Sequence, residues 1–96
     1  MALSGPGRRT ALLETTITTS PTQLSADTDS QKMFFFQNND ASVAVYLGDA
    51  SVDDAVGSHV VKVAAGGTFT DSKSRQAWYA CTALGSVTAT AGYTVV

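Results

Sequence analysis

Charge is scarce in this chain. Six lysines and arginines and eight aspartates and glutamates make up only 15% of its 96 residues, where about 25% is usual. The formal net charge is −2 at pH 7. That balance supplies no basic field to neutralise phosphates, so no nucleic-acid partner is expected. Cysteine is limited to Cys81, which excludes an internal disulfide. Lying among apolar strand residues, away from cations that would lower its pKa, that thiol is expected to be buried and inert. Histidine is limited to His59. It has no second histidine or cysteine to share a metal and no sequence-local partner for a Ser-His-Asp arrangement. No apolar run approaches the roughly 20 residues that span a bilayer. The opening MALSGPGRRTALLE carries Gly and Pro where a signal peptide needs its apolar stretch. The expectation is a soluble protein made in the cytoplasm, with no membrane partner.

What fills the space left by charge is Thr, Ser, Ala and Gly, beside a 44% hydrophobic share. Threonine favours strands, and serine and glycine favour turns. The densest stretch is 31–48, QKMFFFQNNDASVAVYLG. Its two apolar runs, 33–36 and 43–47, are too short for amphipathic helices. Asn38, Asn39 and Asp40 between them are turn formers, so the stretch reads as a β-hairpin. Residues 33–36 are apolar at consecutive positions, which predicts a strand covered on both faces. Around this pair the pattern predicts strands over 14–19, 59–63, 77–83, 86–91 and 93–96, with 22–25 and 68–70 as candidates for brief additional ones. Residues 48–57 and 71–75 read as loops, the paired Gly66 and Gly67 as a turn, and Gly92 as a bulge. Short strands at intervals of roughly ten residues predict an all-β fold. The expected architecture is a single antiparallel β-sandwich, jelly-roll-like, of about seven or eight strands. Its expected core is Met33, Phe35, Phe36, Val43, Val45, Leu47, Val61, Val63, Trp78 and Val87.

Residues 1–13 read as an N-terminal arm and 14–96 as the domain. Gly5, Pro6 and Gly7 oppose regular structure, while Leu3, Leu12 and Leu13 offer apolar anchors and Arg8 and Arg9 offer charge. Such a segment is either a tail or a tether laid on a neighbouring subunit. Asp49, Ser51 and Asp53 have the spacing that starts a calcium loop. Asp54 and Val60 stand where the pattern wants its glycine and its bidentate glutamate, so the acidic loop reads as solvated. Gly66 and Gly67 lack the strand-to-helix context and the lysine of a phosphate loop. Phe34, Phe36, Trp78 and Tyr79 could in principle stack bases, but without cationic neighbours they read as core. No catalytic residue, metal ligand or cofactor is indicated.

From about residue 16 to 96 the order of features resembles small β proteins of tailed-phage structural gene clusters. The resemblance rests on a Thr-rich first strand, then Gln37-Asn38-Asn39 and Val45-Tyr46-Leu47-Gly48. A loop with Ser51, Val52 and Gly57 follows, then Val63-Ala64-Ala65-Gly66-Gly67 with Phe69, Trp78-Tyr79-Ala80, and Gly85-Ser86-Val87. The Gly-Pro-Gly-Arg-Arg arm lies outside that outline. The resemblance implies a non-enzymatic virion protein. Its foremost expected role is capsid decoration (cement): binding the outer shell as a homo-oligomer and bridging subunits of the major capsid protein. A neck or tail component, contacting another virion subunit, is the alternative within the class. From the residues alone, a carbohydrate- or cell-surface-binding sandwich using Tyr46, Tyr79 or Tyr93 is the alternative outside it.

Overall fold

A computed structural model describes residues 10–25, 32–53, 55, 59–74 and 76–95. It contains eight strands: β1 (Thr10–Ile17), β2 (Thr22–Gln23), β3 (Lys32–Asn38), β4 (Val45–Gly48), β5 (Val61–Val63), β6 (Thr68–Ser74), β7 (Tyr79–Cys81) and β8 (Val87–Val95). They form two four-stranded antiparallel sheets, β1-β8-β3-β6 and β2-β7-β4-β5. We call these sheet A and sheet B. The chain pairs as one long hairpin folded between β4 and β5, with β3 on β6, β2 on β7 and β1 on β8. That ribbon then rolls up, so that β8 meets β3 and β7 meets β4. This is the strand order of a jelly roll, and the expected all-β sandwich is the fold.

The central stretch is organised differently from the hairpin its turn residues suggest. β3 lies in sheet A and β4 in sheet B, and they do not pair. The Asn-Asn-Asp segment is a corner between layers. Asn38 closes β3 fully buried, and its Nδ2 donates to the carbonyls of Val43 (2.8 Å), Val63 (3.2 Å) and Ala64 (3.3 Å). Its Oδ1 accepts the Asp40 N–H at 3.0 Å. Asp40 in turn accepts the N–H groups of Ser42 and Val43 at 2.8 and 2.7 Å. These bonds turn the chain from one sheet to the other.

β3 alternates instead of being covered on both faces. Lys32, Phe34, Phe36 and Asn38 are buried, whereas Met33 is 41% exposed and Phe35 half-buried. Met33 and Phe35 therefore leave the expected core, and Phe34 enters it. Phe36, Val45, Leu47, Val63, Trp78 and Val87 are buried as expected, and Val43 and Val61 pack at the margin. Ile17, Ala80, Ala89 and Ala91 complete the cluster. The layers are locked by aromatics. Trp78 stacks on Phe34 (centroids 5.4 Å apart) and meets Phe69 edge-on at 5.2 Å. Its Nε1 donates to the buried Ser74 Oγ at 2.8 Å.

Several boundaries move for reasons of pairing. β1 begins at Thr10, because residues 10–13 pair with β8; Leu12 and Leu13 thus belong to the sheet and not to an arm. Residues 71–74, polar and expected as loop, extend β6 along β3. β8 is one strand, with Gly92 in register with both Leu12 and Phe35. The irregularity falls between Lys32 and Phe34, on the β6 side. Gly66 makes the expected turn at φ +75°, a conformation that suits a residue without Cβ.

Candidate functional site

Successive strand residues point to opposite faces, and cross-strand partners share a face. Sheet A's inner face is that of Ile17, Phe34, Phe36, Val87, Ala89 and Ala91. Its outer face follows from the register. Glu14, Thr90, Gln37 and Thr68 form one row. Gly92, Phe35 and Thr70 form the next, Thr94 and Met33 another, and Thr16 and Thr88 the last. Among the described side chains of this face, Glu14 alone carries a charge. The surface is threonine and glutamine, with Phe35 and Met33 side by side. Such depletion of charge around aromatic and methionine side chains marks the centre of protein interfaces more than solvated surface.

Part of sheet B's outer face, around Gly48 and Cys81, is covered by its own chain. After β4 the backbone folds back so that Val52, 2% exposed, sits over Gly48. A Cβ on Gly48 would meet Val52 Cγ2 at 3.1 Å; glycine permits this approach. The same segment seals Cys81, fully buried, with Sγ 3.5 Å from the Val52 carbonyl. Cys81 is thus buried as expected, but under this flap and not in the main core. His59 meets the Tyr46 ring edge-on at 4.8 Å, and Lys62 Nζ lies 5.8 Å from its centroid. His59 Nδ1 lies 3.1 Å from the Asp53 carbonyl oxygen.

Asp49 and Asp53 of this segment serve its turns. Asp49 Oδ1 accepts the Ser51 N–H at 2.8 Å and Asp53 Oδ1 the Ala55 N–H at 2.6 Å. Beside it, Asp49, Ala50, Val60, Gln76, Ala77 and Tyr79 line an open depression of about 480 Å³. Of the three tyrosines, Tyr46 and Tyr79 share sheet B while Tyr93 lies on sheet A, so they do not gather into one site. Phe34, Phe36 and Trp78 are buried and cannot stack bases. Leu3, Arg8 and Arg9 lie outside the described residues. No helix among the described residues is long and apolar enough to cross a membrane.

Comparison with known proteins gives no match to a family model, a curated protein or a solved structure. The outer face of sheet A is thus the candidate site on its own geometry. Sequence reasoning missed it because 33–36 reads as uniformly apolar. The available signal was the alternation of threonines at Thr88 and Thr90 and at Thr68 and Thr70.

Proposed function

We propose that this protein is a structural component of a phage particle, a capsid decoration protein that binds the outer shell and bridges neighbouring capsid subunits. The observation that carries this reading is the broad outer face of sheet A, where the described side chains set Met33 and Phe35 amid threonines and one carboxylate. A solvated face of a small domain usually carries more charge. Burial of that face against the shell would oppose subunit separation when packaged DNA presses outward. The sequence outline shared with small phage β proteins points the same way.

The test is quantitative. Purified protein is added to particles lacking it and the bound copies are counted. Saturation at hundreds of copies supports decoration; six or twelve would transfer the protein to a neck or tail position. Met33→Glu, a change at an exposed site, should leave the fold intact and weaken particle binding at least about tenfold, or 1.4 kcal/mol. Unchanged binding would remove sheet A from the interface. A second reading, a glycan-binding module, is favoured by the half-buried Tyr79 beside Asp49 and Gln76 in the depression on sheet B. Glycan retention abolished by Tyr79→Ala, with no particle binding, would select it.

A further inference from the structure

We infer that β1 is an assembly edge, completed in antiparallel fashion by β1 of a second copy of this chain. The four outermost strands differ sharply. β2 has two residues and follows Pro21. β5 has three, with the exposed Lys62 at its centre. β6 has an irregular register against β3. Short length, proline, charged side chains (lysine above all) and bulges are among the devices that keep edges from pairing with other chains. Of these β1 carries only the single charge of Glu14. It runs eight residues, TALLETTI, in unbroken register with β8 from Thr10 to Ile17. Among the described residues no strand pairs with its other side, which leaves roughly half of its backbone N–H and C=O groups facing outward, the template for an added strand.

The register identifies the occupant. A two-fold axis perpendicular to the sheet keeps each face on its own side, so a residue can pair only with one of the same facing. Two registers then give the longest overlap. One is centred on Glu14 and sets two carboxylates directly opposite, which is destabilising. The other is centred on Leu13. It sets Leu13 opposite Leu13, Glu14 opposite Leu12 and Thr16 opposite Thr10 of the second copy. The two Glu14 carboxylates are then no longer directly opposed. β1 is therefore self-complementary in one register, and the joined sheet A has eight strands. This inference stands apart from where the protein acts.

Two measurements test it on the full-length chain. Sedimentation of the unmodified protein should show a concentration-dependent rise from 9.9 kDa toward twice that mass. A strict monomer up to millimolar concentration overturns the inference. Leu13→Cys should then form an oxidised dimer readily, because directly opposed residues lie about 4.5–5.5 Å apart between Cα atoms, within disulfide range. Glu14→Cys should not, because its two copies are then roughly 7–8 Å apart on the diagonal. The native Cys81 is buried and serves as the internal control. Crosslinking by Glu14→Cys alone, or by neither variant when both are folded and dimeric, overturns the inference. If Leu13→Cys fails to fold, concentration-dependent amide protection of β1 in the unmodified chain decides. Protection that does not change with concentration overturns it.

Discussion

Asn38 is the residue on which the two layers hinge. One buried amide satisfies three carbonyls from sheet B and the turn that leads there. Removing it leaves buried acceptors without donors, at about 1–3 kcal/mol each. Asn38→Leu should therefore cost about 3 kcal/mol, read by denaturant unfolding. Asn38→Asp should cost more at neutral pH, about 3–5 kcal/mol, because it faces an unpaired carboxylate toward carbonyl oxygens. Acidification should recover part of that loss by protonating it. Asp40 behaves in the opposite sense. The N–H groups of Ser42 and Val43, helped by the Ser42 hydroxyl, hold its pKa below the ordinary 3.8. A folded-state pKa below the unfolded one stabilises above the ordinary value, and that contribution is lost as pH falls through the depressed value. Asp40→Asn should thus narrow its stability gap from the parent as pH drops below about 4, measured by melts across that range. Lys32, 1% exposed and donating to the Gln76 carbonyl at 3.0 Å, has no counterpart in sequence reasoning. A lysine at a strand end reads as surface, and its burial depends on groups brought in from afar, the Gln76 carbonyl of the β6–β7 connection among them.

β3 shows what an element adds to its residues. Phe36 is fully buried and Phe35 points to the opposite face. Phe36→Ala should cost about 3–5 kcal/mol, and Phe35→Ala clearly less, in parallel denaturant titrations; equal losses would mean the strand is covered on both faces. The flap over sheet B is a second such element. Val52→Ala removes the side chain resting on Gly48, and should cost about 2 kcal/mol while speeding thiol labelling of Cys81. The existence and β character of both elements were legible in their aromatic, β-branched and turn residues. Their partners were not. An Asn-Asn-Asp turn has the same local chemistry whether it closes a hairpin or turns a corner between sheets. The choice is made by β6 and β8 on one side and β5 and β7 on the other, far away in sequence.

At the scale of the molecule, the paired ribbon makes distant segments support one another. Among the described strands β1 pairs with β8 alone, the last strand. Deleting residues 1–13 takes Thr10, Ala11, Leu12 and Leu13 from β1 and should lower the melting temperature, whereas deleting 1–9 should leave it near the parent value. Calorimetry of both truncations checks this, and the longer deletion should also abolish self-association. The proposed shell-binding role would use the same architecture: sheet B partly covered by its own chain, and sheet A left broad, with Glu14 the one charge among the described side chains of its outer face.

Composition and local pattern alone determined an all-β domain with a turn at Gly66 and a core including Phe36, Leu47 and Trp78. These follow from short-range propensity and burial tendency, which each segment carries with it. Only the tertiary structure decided that β3 and β4 part company, that Met33 and Phe35 face outward, that residues 10–13 join the sheet, and that Cys81 is sealed by a flap. Each of these depends on which remote strand supplies the hydrogen bonds and which face the second layer covers, and no local stretch of chain encodes its partner.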